Sequence, residues 1–143
     1  MFDGVMPGLE CVYVPPFDVE RWLPRVRGHF SRIAAGSRGR YLPEDVAAAV
    51  QSGLQTLWIA LRGNSIEGIM LTEMIQYPRV RALRYVALVG RNWRDLVALL
   101  PVIESIGRQS GCTVFESLSP MKYRHMLPDY SASHVLFEKE SDR

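Results

Sequence analysis

Apolar positions along the chain recur first with a helical period and later with a strand period. From Asp18, a residue suited to an N-cap, they fall at Val19, Trp22, Leu23, Val26, Phe30 and Ile33, which places them on one face of a helix. Pro24 falls in the first turns of that helix, where it is tolerated more easily than further in. Gly36-Ser37-Arg38-Gly39 breaks the pattern. Pro43, a residue that favours the first helical position, then opens a second short helix that runs through the alanines to Gly53. Before all of this, Cys11-Val12-Tyr13-Val14 is a short apolar run stopped by Pro15-Pro16, the signature of an edge strand or an extended arm.

The period changes after Gly53. Leu57 to Leu61 reads as a buried strand, Gly63-Asn64 as the turn after it, Ile66 to Tyr77 as a longer strand ending before Pro78, and Arg81 to Val89 as a third bounded by Gly90. Three strands joined by tight turns make an antiparallel meander. Trp93 to Gln109 is helical, with Leu96, Leu99, Leu100, Ile103 and Ile106 on one stripe, Pro101 inside it and Gly111 at its end. A strand over Cys112 to Ser117, a short helix over Pro120 to Leu127 and a last strand over Ser133 to Glu140 complete the prediction. A crossover helix between two strands demands a parallel pair. The expected fold is therefore one α/β domain with a mixed, mostly antiparallel central sheet and helices on both faces.

Composition narrows the function classes. The 143 residues suit one domain, and 17 Lys+Arg against 15 Asp+Glu is too close to balance to argue for nucleic acid. Almost all of the cationic charge is arginine, with lysine only at Lys122 and Lys139. Codon bias accounts for that without function, although guanidinium groups gathered on one face would suit phosphate or carboxylate. Cys11 and Cys112 match no common metal-ligand spacing, no metal site is expected, and two free thiols are the favoured reading over a disulfide. No uncharged apolar run approaches the roughly 20 residues of a membrane-spanning helix, and Met1-Phe2-Asp3-Gly4 opens no secretion signal.

The ordered set of short motifs resembles the GNAT superfamily of N-acetyltransferases, and within it the small GNAT-like proteins of tailed bacteriophages. The stretches that carry this are Trp22-Leu23-Pro24, Gly39-Arg40-Tyr41-Leu42-Pro43-Glu44-Asp45, Leu57-Trp58-Ile59-Ala60, Leu71-Thr72-Glu73 and Tyr77-Pro78. Gly90, Trp93, Ile103-Glu104, Gly111-Cys112 and Glu138-Lys139 continue it. The resemblance runs from Val19 to about Lys139, which divides the chain into an N-terminal arm (1–17), a GNAT-like domain (18–140) and a short tail (141–143).

The resemblance implies acetyl-coenzyme A, held by a loop of the type Arg/Gln-x-x-Gly-x-Gly/Ala whose small residues admit phosphates to backbone N–H groups at a helix N-terminus. Here that loop is Arg91-Asn92-Trp93-Arg94-Asp95-Leu96. Arg91 matches its lead, while Arg94 and Leu96 stand where glycine is expected and Asp95 adds like charge. Arg91, Asn92 and Arg94 are the residues such a cofactor would use, the arginines through their side chains. The family's acid, often a tyrosine near the last strands, maps through Asp129-Tyr130 onto His125, with Tyr123 two residues away, and Glu73 is the candidate base. The ordinary alternatives are an exposed histidine and a solvated or salt-bridged strand glutamate.

Arg79, Arg81 and Arg84, with Tyr77 and Tyr85 among them, resemble a nucleic-acid surface, but a hairpin end makes a solvated turn the default. Trp58 and Trp93 are expected in the core. The degraded loop favours a phage-type, non-catalytic component that binds other proteins, including virion components, through the arm and the arginine-rich surface. Such a protein resides in the host cytoplasm or the virion, without membrane or cofactor. The alternative is an N-acyltransferase that uses acetyl-coenzyme A on a host or phage amine.

Overall fold

A computed structural model describes residues 8–119, 126–127 and 129–141. In chain order it shows β1 (Leu9–Val14), a single 3-10 turn (Pro16–Asp18), α1 (Val19–Ala35), α2 (Pro43–Ser52), β2 (Thr56–Arg62), β3 (Ser65–Gln76), β4 (Arg81–Gly90), α3 (Trp93–Gln109) and β5 (Val114–Ser117). The five strands form one sheet in the order β1-β2-β3-β4-β5. All neighbours are antiparallel except β4 and β5, which are parallel across the α3 crossover, as the pattern requires.

The helices cover both faces. Val19, Val26 and Phe30 of α1 and Val46 and Val50 of α2 close on Val14, Leu57, Ile59, Ile69 and Leu71 on one side. Leu96, Leu99, Leu100 and Ile103 of α3 close on Trp58, Ala60, Met70, Leu83 and Tyr85 on the other. Strand β2 is apolar at every position from Leu57 to Leu61 because both of its faces are covered. Trp58 sits in the core and donates its indole N–H to Thr72 Oγ1 at 2.9 Å. The α2 start is closed by Asp45, whose carboxylate accepts the Leu42 N–H at 2.8 Å.

Of the two readings of Cys11–Val14, the edge strand is the one that forms: Leu9–Val14 pairs with β2 along its whole length at the edge of the sheet. The last strand predicted over Ser133–Glu140 is not formed: residues 131–141 are neither strand nor helix. Its residues are strand-competent, but they meet no sheet edge, and Glu138 instead ion-pairs with Arg38 and Arg40 between α1 and α2. Of the helix predicted over Pro120–Leu127, residues 120–125 lie outside the described residues. Both cysteines are free, Cys112 buried and Cys11 half-buried with its thiol pushed up to about 12 by burial.

Candidate functional site

Two features shape the C-terminal end of β4. Leu71 opposes Ala87 and Thr72 opposes Tyr85, so Val86 is an extra residue that bulges β4 against β3. Strand β5 accompanies β4 only through Tyr85, which leaves Val86 to Gly90 without a strand on that side among the described residues. Among the described residues the β4–β5 pairing thus ends after four residue pairs, before β4 reaches the start of α3.

The turn into α3 is closed by the protein itself. Asn92 is the N-cap: its Oδ1 accepts the Arg94 N–H at 3.0 Å, and its backbone carbonyl accepts the Asp95 N–H at 3.1 Å. The Arg91 N–H is donated to Glu67 O at 3.1 Å. The sequence reading placed the Asp95 carboxylate beside a phosphate; instead it is buried under the helix and pairs with Arg62, which also binds Glu67 at 2.9 Å. Leu96 likewise does not stand in the loop as an obstruction. Its side chain turns inward and is 1% exposed, in a notch formed by two glycines on paired strands, Gly68 and Gly90. A Cβ on Gly68 would lie 2.8 Å from Leu96 Cδ2 and one on Gly90 would lie 3.2 Å from Leu96 Cδ1, so the missing side chains are what admit the leucine.

Arg91 and Arg94 remain exposed at the surface of this turn, with no carboxylate paired to either among the described residues. Burial, then the Arg32 and Arg91 guanidinium groups, hold the His29 imidazole below its ordinary range. Cationic side chains from α1 and from the loop therefore meet on this corner.

Glu73 lies across the sheet in a row with Arg84 and Glu116. Arg84 sits 3.9 Å from Glu73 and donates to Glu116 at 2.9 Å through Nε, while the Tyr77 hydroxyl donates to the same carboxylate at 3.0 Å. Glu73 is thus part of an ion-pair row, and Arg84 belongs to that row rather than to a solvated turn; Arg79 and Arg81 are exposed. On the α3 side, Glu104 accepts from Tyr85 at 3.4 Å and from Tyr130, and lies 3.8 Å from Arg108. Burial first, then the neighbouring phenol and carboxylate, push Tyr85 well above the usual phenol range; burial and the hydrogen bond to Glu104 do the same to Tyr130. Both phenols stay protonated and act as donors. His125 and Tyr123 lie outside the described residues. The sequence reading had not singled out Gly68 or the Tyr85–Glu104–Tyr130 cluster. A lone glycine inside a strand pattern, the usual mark of close approach, was the available signal for the first.

Comparison with solved structures places this architecture. An aminoglycoside acetyltransferase from an uncultured soil metagenomic sample, in complex with sisomicin, superimposes with a TM-score of 0.69 at 14% identity, over 94% of this chain and 97% of that one. The chain has the GNAT fold. A probable acetyltransferase aligns with a TM-score of 0.69 at 9% identity over 92% and 99% of the two chains. The ribosomal-protein-alanine N-acetyltransferase of Brucella melitensis biovar Abortus 2308 gives 0.67 at 12% over 95% and 99%. No protein-family model and no curated protein sequence matches the chain. In this chain the loop at the start of α3 is filled and capped from within. The loop residues present do not fit a diphosphate held by backbone N–H groups: those of Arg91, Arg94 and Asp95 are already donated to protein acceptors.

Proposed function

We propose that this GNAT-fold protein is a protein-binding module that does not use acetyl-coenzyme A in the manner of the fold's enzymes. The observation that carries the reading is the internally satisfied turn into α3, where Asn92 and Glu67 take three N–H groups that a diphosphate would need. Displacing them would break the helix cap, whose loss costs about 1 kcal/mol. The exposed Arg91 and Arg94 then serve as contacts for an acidic partner surface. The sequence resemblance to small phage proteins supports a phage partner, in the host cytoplasm or the virion.

A second reading is favoured by the bulge at Val86 and by the β4–β5 pairing that ends at Tyr85. In it the chain is an N-acetyltransferase whose Arg91 and Arg94 side chains hold the diphosphate in place of the backbone. The structural neighbours act on amines as different as an aminoglycoside and a ribosomal protein's alanine, so the fold does not choose an acceptor. Isothermal titration of the full chain with acetyl-coenzyme A separates the two. The binding-module reading expects no heat at millimolar ligand. Micromolar binding that is lost in R91A/R94A overturns it and establishes the second.

A further inference from the structure

The turn between α1 and α2 holds two arginines on one carboxylate. Arg38 Nη1 donates to Oε1 of Glu138 and Arg40 Nη2 donates to Oε2, so each carboxylate oxygen has its own guanidinium group. The carboxylate belongs to a segment, 131–141, that is neither helix nor strand. Arg38 and Arg40 also line a cavity of about 360 Å³ whose other wall is residues 136–140.

The backbone of this turn is shaped to carry the clamp and does more than join two helices. Arg38 has φ 59° and Gly39 has φ 80°, two successive left-handed residues. Glycine adopts that region freely and arginine does not, so a plain connection would be served better by glycine at both positions. Arg38 is the one non-glycine residue with positive φ among the described residues. Left-handed residues of this kind cluster at ligand clamps, where a side chain is needed at that point. Ser37 fixes the frame: its hydroxyl donates to Ala34 O at 2.7 Å and accepts the Tyr41 N–H at 3.0 Å, while its carbonyl accepts the Arg40 N–H at 3.3 Å.

Glu138 has the character of an occupant more than of a structural partner. Both arginines are more than half exposed, and exposed ion pairs are individually weak. The neighbouring Leu136 and Phe137 are 64% and 91% exposed, so apolar packing adds little to hold the segment down. A free carboxylate would not displace Glu138, because it offers the same charge without the tether that raises the local concentration of Glu138. A phosphate monoester differs. Near neutral pH it carries roughly 1.5 to 2 negative charges and several strong acceptor oxygens, which suit two planar guanidinium forks better than one carboxylate does.

We propose that Arg38 and Arg40 form a binding site for a phosphate monoester, and that Glu138 is its built-in competitor, released together with residues 136–140 when the phosphate binds. Lys139 and Glu140, which also line the cavity, leave on the same segment and cancel in charge. The proposal rests on neither reading of the start of α3.

A nuclear magnetic resonance titration of the isotope-labelled full chain with inorganic phosphate, at constant ionic strength set with chloride, tests it. Saturable shifts are expected at Arg38, Gly39 and Arg40, with residues 136–140 shifting in the same titration as the segment leaves. Glu138→Gln removes the competitor and should tighten phosphate binding by at least about threefold, since apparent affinity is reduced by the fraction of clamps that stand open. Arg38→Gly keeps the left-handed turn, relieves its strain and removes one guanidinium group; it should abolish the saturable shifts while melting close to the parent. Glycerol phosphate and a phosphoserine peptide, titrated in the same way, separate a small ester from a protein-borne one, and the tighter of the two should bind at least as well as inorganic phosphate. The absence of saturable shifts at the turn, even in Glu138→Gln at tens of millimolar phosphate, overturns the proposal. So does equal affinity in the parent and Glu138→Gln, or binding that survives Arg38→Gly. Weaker binding of both esters than of inorganic phosphate also overturns it, because the turn would then hold a bare ion and not an ester.

Discussion

Replacing Gly68 with alanine probes how the start of α3 is anchored. Gly68 has no left-handed backbone requirement, so alanine there carries no conformational penalty. In an open site the change would stabilise the fold by about 0.4–1 kcal/mol, by restricting the unfolded chain. The site is not open. The new Cβ would lie 2.6 Å from Val89 O, 2.8 Å from Leu96 Cδ2 and 2.9 Å from Gly90 Cα, and two of those three atoms are backbone of the paired strand. Leu96 can rotate only into the same packed notch, and the strand can move only by breaking its register with Gly90. Overpacking of this kind costs about 1–3 kcal/mol, and the upper part of that range applies because backbone must yield. Gly28 supplies the control. It lies inside α1 with nothing within 4 Å of its would-be Cβ, so Gly28→Ala should stabilise by about 0.5–1 kcal/mol. Urea unfolding followed by far-ultraviolet circular dichroism should therefore show the same substitution with opposite signs at the two positions. If Gly68→Ala matches Gly28→Ala, the notch is not close-packed and Leu96 is not what it accommodates.

Other outcomes follow from neighbouring contacts. Thr72→Val keeps volume but leaves the buried Trp58 indole N–H without its acceptor, so denaturant unfolding should show a loss of about 1–3 kcal/mol. Leu96→Ala should cost about 3–5 kcal/mol in the same assay, through a cavity under the α3 N-terminus, and a loss below about 1 kcal/mol would contradict its inward packing. Because folding holds His29 below its ordinary value of 6.5, the unfolded chain takes up the proton first on acidification. That stability is complete above pH 6.5 and is lost as pH falls below it; melts of His29→Gln should lose this part of the pH dependence. With Cys11 pushed up to about 12 and Cys112 buried, a thiol reagent at neutral pH should label the native chain far more slowly than the unfolded one.

Periodicity made most of the fold legible. The α1 stripe, the α3 stripe from Leu96 to Ile103, the unbroken apolar run of β2 and the crossover that makes β4 and β5 parallel all follow from spacing, whereas Ile106, expected on the α3 stripe, is exposed. The bulge at Val86 is invisible in sequence, since Val86 to Val89 are apolar throughout and no polar residue marks the slip. Ser133–Glu140 exposes a different limit: strand composition expresses competence, and a strand forms only where an edge receives it. At the site, the loop's departure from the glycine pattern was legible, but the direction of each side chain was not. Asp95 and Leu96 read as obstacles to a phosphate, and both point into the protein, one to Arg62 and one to the glycine notch.

The position of the glycines carries the functional argument further than their number. In a diphosphate loop glycine sits at the helix start, so that a ligand can come close to backbone N–H groups. Here glycine sits one layer below, at Gly68 and Gly90, and what comes close to backbone is the protein's own Leu96. The N–H groups are answered in the same way, by Asn92 and Glu67. Close approach at this turn serves the core and not a ligand. Replacing Leu96 with glycine alone would empty the notch without freeing a single N–H, because the Asn92 cap would persist. Asn92→Gly would free the Arg94 N–H, and the leucine, turned into the core, does not stand in the way. If the internal cap is what keeps a diphosphate out, N92G should gain measurable affinity for acetyl-coenzyme A in titration, and L96G should titrate like the parent. A gain in L96G alone would show that the leucine, and not the internal cap, is what keeps a diphosphate out.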